Sequence, residues 1–254
     1  MMIYALLLTG AVGGYLSGFF GVGGGIVMVP LLMLWAKLDQ RQASATSLLA
    51  IVPSSIVGAI SYGMRNEVDL AIAGLVAVGA VVGAPLGSKL LRVLPVAIIH
   101  WTFIAMMLVE AARLIFVTDE PAGSFTHSFG ADVALIGLGV VMGIASGMLG
   151  LGGGIIAVPV FMSVFGLSPL LAKGTSLLAM VPTAIAGTIP NLRAGLVDLK
   201  QGLIVGLAAV AASFGGVATA FVLPPQLAAQ LFGLLLLGVA FQSAYKRMRS
   251  RKKN

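Results

Sequence analysis

Long apolar runs separated by short polar joints set the pattern of this chain. Residues 42–63, 68–91 and 202–223 are each almost unbroken apolar stretches. A helix needs about 20 apolar residues to cross a bilayer, whereas membrane barrel strands alternate apolar with polar over about ten. These runs do not alternate, so they predict membrane-spanning α-helices. Full crossings are expected at 42–63, 68–91 and 95–117, and again at 171–192, 199–222 and 226–245. The segments 3–36 and 131–165 are apolar too, but each is broken by a glycine cluster. In the first, about 15 residues precede the break and about 11 follow, each short of a crossing. Each such segment is expected to be a hairpin that enters and leaves on one side.

Composition narrows the class. The 254 residues are 59% apolar and 9% charged, against about 45–50% and about 25% in a soluble domain. So few charges cannot cover a soluble surface of this size. That excludes a soluble globular enzyme, a disordered chain and a nucleic-acid module. The net charge is +7, but six of the fifteen basic residues form the tail Lys246, Arg247, Arg249, Arg251, Lys252 and Lys253. Such a cluster after a last span fixes orientation against anionic cytoplasmic lipid rather than binding nucleic acid. There is no cysteine, hence no disulfide, thiol chemistry or thiolate metal site. The N-terminus has no basic residue before its apolar run and is expected to be the first structural segment, not a cleaved signal.

The chain repeats itself. SGFFGVGGGIVMVP at 17–30 returns as SGMLGLGGGIIAVP at 146–159, an offset of 129 residues. The offset holds without a gap through residue 70, with 25 of 54 positions identical. Two copies of one unit are therefore expected, at 1–118 and 131–245, joined by a polar loop at 119–130 and followed by the basic tail 246–254. A hairpin plus three crossings per copy is an odd count, which makes the copies inverted. Lys37, Arg41, Lys89, Arg92, Arg193, Lys200 and the six tail residues then share one side, leaving Arg65, Arg113 and Lys173 on the other. Parallel copies would divide the fifteen almost evenly. The bias favours inversion, with the C-terminus cytoplasmic and the protein in the cell membrane. The expected fold is an all-α polytopic membrane protein of 8–10 helical segments in two inverted repeats.

The glycines Gly21, Gly23, Gly24 and Gly25, with Gly150, Gly152, Gly153 and Gly154, stand where each broken segment reverses. Without a Cβ the chain can turn sharply and expose N–H groups to a cavity. The arms that follow would present helix N-termini, which attract anions. Close helix packing would use the same residue type. Thr46-Ser47 and Thr175-Ser176 offer hydroxyls for a polar shell, and Pro53 and Pro182 further along would bend their helices. Asp69 and Asp198 read as helix caps, and Glu110 with Arg113 as a local ion pair three residues apart. No metal set exists, because His100 and His127 have no companions in sequence. No cofactor is expected either: Gly21-x-Gly23 lacks the third glycine of a dinucleotide fingerprint, and Lys173-Gly174-Thr175-Ser176 lacks the first glycine of a phosphate loop. Ser17 and Ser146 have no base to make them nucleophiles, so no enzyme is expected.

The doubled G-x-x-G-x-GGG-x-x-x-x-P and the T-S-L-L-A motif resemble the sulfite exporter TauE/SafE family over the whole chain. The resemblance implies a permease for sulfur-containing anions: sulfite, sulfoacetate, other organosulfonates or thiosulfate. It also implies that both glycine clusters and Thr46, Ser47, Thr175 and Ser176 belong to the family's core motifs. Ser44 and Ala45 stand where the second copy has Lys173 and Gly174, so a symmetrical cationic contribution is not expected there. The expected function is secondary transport at a midplane site by alternating access, with a proton or sodium ion as candidate coupling partner and lipid as the surroundings. An anion channel with a continuous pore is the alternative.

Overall fold

The computed structural model describes residues 2–116 and 128–251. Most of the expected joint 119–130, His127, Lys252 and Lys253 lie outside the described residues. The helices are α1 (Met2–Phe20), α2 (Gly25–Trp35), α3 (Gln40–Gly63), α4 (Leu70–Val93), α5 (Val96–Phe116), α6 (Phe129–Leu149), α7 (Gly154–Ser163), α8 (Pro169–Arg193), α9 (Leu199–Val222) and α10 (Pro225–Arg251). Eight of them, all but α2 and α7, are long and apolar enough to cross a membrane. The chain is an all-α polytopic membrane protein.

Local chemistry sets the helix starts. Asp69 caps α4 by accepting from the N–H groups of Ala71 and Ile72, and Asp198 caps α9 on Lys200 and Gln201. Asp39 and Gln42 form a reciprocal capping box at α3, while Ser168 followed by Pro169 opens α8. Each cap satisfies donors that have no acceptor inside the helix.

The hairpins differ from the sequence reading in one respect. α1 has 19 residues rather than 15 and is long enough to cross, while α2 has 11. The helix continues through Phe19 and Phe20, which are buried and compatible with helical dihedrals, and ends only at Gly21, where φ turns to 70°. Each hairpin has one long arm and one short one.

Contacts between the copies define the directions. Gly58 of α3 faces Leu177 of α8, and Gly187 of α8 faces Leu48 of α3. These two helices therefore run antiparallel, and their contacts flank Pro53 and Pro182 by five residues on either side. α5 and α10 are antiparallel as well: Gly233 meets Ala111, and His100 Nε2 lies 3.4 Å from the Ser243 carbonyl. By contrast, α1 lies parallel to α9 and α4 parallel to α6. Gly10, Gly14 and Gly18 meet Val205, Ala209 and Ser213 in order, and Gly139, Gly143 and Gly147 meet Val76, Ala80 and Ala84. The first helix of each copy thus packs along the fourth helix of the other, and the copies interleave.

The bundle ends sort accordingly. Arg41 Nη2 donates to the Leu94 carbonyl at 2.9 Å, bringing the joints 37–41 and 89–94 together. α4 runs parallel to α8, with Gly174 against the Glu67 carbonyl and Ser88 donating to the Gly187 carbonyl at 2.8 Å. The joint 193–200 therefore lies at that same end.

Candidate functional site

The short helices begin in the middle of the bundle. A Cβ on Gly24 would overlap the carbonyl oxygen of Gly13, and the Met28 side chain also packs on Gly13. Gly13 precedes the end of α1 by seven residues, about 10 Å at 1.5 Å per residue. The link 21–24 therefore leads the chain back along α1 before α2 starts. It does so with φ of 70°, 83° and 67° at Gly21, Gly23 and Gly24, a region that L side chains rarely adopt. The second link repeats this, with φ of 73°, 78° and 91° at Gly150, Gly152 and Gly153, and Gly153 against Met142.

The two tips meet. Gly25 lies against the Gly150 carbonyl and Leu151, and Gly154 against the Gly21 carbonyl and Val22. Ser47 Oγ of α3 donates to the Gly150 carbonyl, and Ser176 Oγ of α8 donates to the Gly21 carbonyl at 3.1 Å. The serine of each copy thus holds the tip of the other. Thr175 Oγ1 accepts from the Asp69 N–H at 2.9 Å, which ties α8 to the start of α4. Thr46 is buried next to Ser47. Pro53 and Pro182 lie inside α3 and α8 where those helices cross. All the glycines and hydroxyl residues named from the sequence are buried in this one region.

Electrostatically the tips are donors without acceptors. Among the described residues, the N–H groups of Val22 through Ile26 and of Leu151 through Ile155 donate to no other group of the protein, and all ten residues are buried. Three at each tip are the unpaired donors of a helix start, and Val22, Gly23, Leu151 and Gly152 add to them in a buried place where such groups are usually paired. They surround the N-termini of α2 and α7, where the helix dipole adds positive potential. The hydroxyls of Ser17, Ser44 and Ser146 are also buried without a partner. Lys173 is buried with its backbone against Gly21, and its Nζ lies 5.6 Å from the centre of the Phe19 ring. Its repeat counterpart Ser44 lies against Gly150. The Glu110–Arg113 ion pair, 3.5 Å long, lies within α5. Among the described residues no group of three or more His, Asp or Glu could hold a metal.

The sulfite exporter TauE/SafE family matches residues 2–114 and 135–254, nearly the whole chain. The chain belongs to that family of membrane transporters. Relatives of this TauE/SafE protein include the probable membrane transporter proteins YdhB and YunE of Bacillus subtilis (strain 168). YdhB is 29% identical over 73% of this chain and 77% of its own length, and YunE is 27% identical over 78% and 81%. The probable membrane transporter protein MJ0441 of Methanocaldococcus jannaschii is 38% identical over 33% of this chain and 34% of its own length. No solved structure matches the chain.

Sequence reasoning missed four residues of this TauE/SafE chain. Ser17 and Ser146 open the repeated motif and were visible there, but were read only as absent nucleophiles. Ile51 and Met180 are repeat partners that both reach the tips. Being apolar in apolar helices, they carried no signal that could set them apart.

Proposed function

We propose that this chain is a secondary transporter of small sulfur-containing anions, sulfite or an organosulfonate, bound between the two glycine tips and moved by alternating access. The observation that carries the reading is the set of ten buried N–H groups without acceptors. An unpaired buried donor costs about 1–3 kcal/mol, a cost that a ligand rich in acceptor oxygens removes. An SO3 group brings three such oxygens and a negative charge. That charge meets two helix N-termini, each equivalent to roughly half a positive charge. Gly21, Gly23, Gly24 and Gly25 with Gly150, Gly152, Gly153 and Gly154 supply the cradle, and Ser47 and Ser176 fix its two halves. Thr46 and Thr175 extend the polar wall, and Pro53 and Pro182 let the crossing helices bend as the site changes access. No fixed cation is needed at the centre, and an anion held only by dipoles can leave again. The sulfur oxyanion itself is suggested by the family's name; a proton or sodium ion is the coupling partner to test.

Antiparallel α3 and α8, and antiparallel α5 and α10, support two inverted repeats of the kind that exchange conformations during transport. The repeats are 1–118 and 131–245, with the joint 119–130 and the tail 246–254. Lys37, Arg41, Lys89, Arg92, Arg193 and Lys200 share a bundle end that the positive-inside rule makes cytoplasmic, in the cell membrane and together with the tail. Single cysteines in this cysteine-free chain check the orientation. A cysteine at position 39 should resist an impermeant thiol reagent added outside intact cells, whereas one at position 66 should react. Outside labelling of position 39 alone reverses the orientation.

The function is tested in proteoliposomes with a panel of sulfite, an organosulfonate, thiosulfate, sulfate and chloride. Saturable uptake of sulfite or the sulfonate, with competition among the sulfur anions, is expected. Flux that stays linear with concentration and does not discriminate chloride would mean an anion channel instead.

A further inference from the structure

One side chain lies against both tips. The Met180 methyl lies where a Cβ on Gly23 and a Cβ on Gly152 would both fall, so it touches the two tips at once. Its sulfur is 2.9 Å from the place a Gly154 Cβ would take, and Ser176 Oγ lies 3.8 Å from that sulfur. Ile51, its repeat partner, also lies against both tips, 3.0 Å from a Cβ built on Gly25 and 3.2 Å from one built on Gly152. Both side chains are fully buried.

We propose that Met180 is the movable plug of the translocation path, with Ile51 as its fixed counterwall; this rests on the tips being the anion site. A methyl group in van der Waals contact with both tips and an anion between them cannot occupy the same volume. One must leave for the other to enter. Met180 is unbranched with three rotatable bonds and can swing along its helix without moving the backbone. Ile51 is β-branched, so its χ1 is fixed on a helix and only the terminal Cδ1 can turn. The two copies are otherwise similar here, and this difference makes the plug one-sided. Ser176 joins the plug to the tip: the same hydroxyl donates to the Gly21 carbonyl and lies on the Met180 sulfur.

The experiment follows access to the tip rather than substrate flux. Val22, a buried tip residue, is replaced by cysteine in the cysteine-free chain. The rate of reaction with the small anion sulfonatoethyl methanethiosulfonate is then measured in proteoliposomes. Met180→Ala should speed labelling by at least about tenfold, and Ile51→Ala by less than about threefold, because only a side chain that swings clear gates access. Met180→Ile, which keeps the bulk and removes the flexibility, should label no faster than the parent and exchange sulfite about tenfold more slowly. Unchanged labelling in Met180→Ala, or an Ile51→Ala effect larger than it, would overturn the plug. Should Met180→Ala fail to insert, normal sulfite exchange by Met180→Ile overturns it equally. Because labelling needs no sulfite, a chain that labels as expected but transports no sulfur anion rejects the substrate and keeps the gate.

Discussion

Valine at Gly24 or at Gly153 will abolish anion exchange, by at least about a hundredfold, while the protein still inserts and purifies as a folded bundle. The reason is both conformational and steric. Gly24 has φ of 67° and Gly153 has φ of 91°, and a β-branched residue in that region is a rare outlier. Such strain costs on the order of 1–3 kcal/mol before any contact is considered. The added Cβ then meets the Gly13 carbonyl at one tip and the Met142 side chain at the other. To relieve it, α2 or α7 must move off the long arm behind it. Its N–H groups then leave the positions in which they are proposed to hold the anion.

The two sites should differ with alanine. At Gly24 the obstacle is backbone, which cannot step aside; at Gly153 it is first the Cγ of Met142, a side-chain atom that a rotamer change can move, with the Met142 carbonyl behind it at 3.0 Å. Gly24→Ala is therefore expected to be the more damaging of the pair. Gly195 separates strain from function, since its φ is 68° but nothing lies within 4 Å of its Cβ position. Gly195→Ala should lose a little stability and keep full exchange. The variants are compared for uptake at equal amounts of inserted protein. Wild-type uptake by an inserted Gly24→Val chain would return these glycines to a packing role.

What the sequence disclosed here was what runs in one dimension. Apolar length located the spans, the 129-residue offset paired the copies, and the aspartates at 69 and 198 marked helix starts. The glycine clusters marked the hairpin breaks, although α1 runs further than expected because Phe19 and Phe20 do not oppose a helix. Contacts across the fold were illegible. Ser47 meets Gly150 at a separation of 103 residues and Ser176 meets Gly21 at 155, and no local pattern encodes either. Ile51 and Met180 look like any apolar residue of a span until the tips are brought against them. Glycine was ambiguous for a physical reason: it serves a reversal through its dihedral freedom and a helix contact through its size. Only the backbone separates them, with positive φ at the tips and helical φ along α1, α4 and α6.

The second use of glycine leads to an equally large effect on stability. Along α4, Gly79, Gly83 and Gly87 meet the carbonyls of Ile136, Val140 and Ile144, while along α6 Gly139, Gly143 and Gly147 meet those of Val76, Ala80 and Ala84. The steps of four keep all of them on one face of each helix. In lipid, two apolar helices gain nothing from hiding surface from water, so close backbone approach is what joins them. A Cβ at any of these six positions would overlap the neighbour's backbone carbonyl or come close to it. No side chain can turn away to make room; the helices must separate along the whole seam. Overpacking costs typically about 1–3 kcal/mol where side chains can adjust, so a backbone obstacle belongs at or above the top of that range. Gly74 and Gly137 lie on the same two helices, exposed, with nothing within 4 Å. Alanine there should stabilise by about 0.5–1 kcal/mol, as it does in any helix interior. Thermal unfolding in detergent should therefore place Gly83→Ala and Gly143→Ala well below the parent and Gly74→Ala and Gly137→Ala at or above it. At roughly 2–4 °C per kcal/mol for a chain of this size, the two groups should stand about ten degrees apart. Equal melting temperatures for Gly143→Ala and Gly137→Ala would mean that α4 and α6 do not meet along this seam in the membrane-extracted protein.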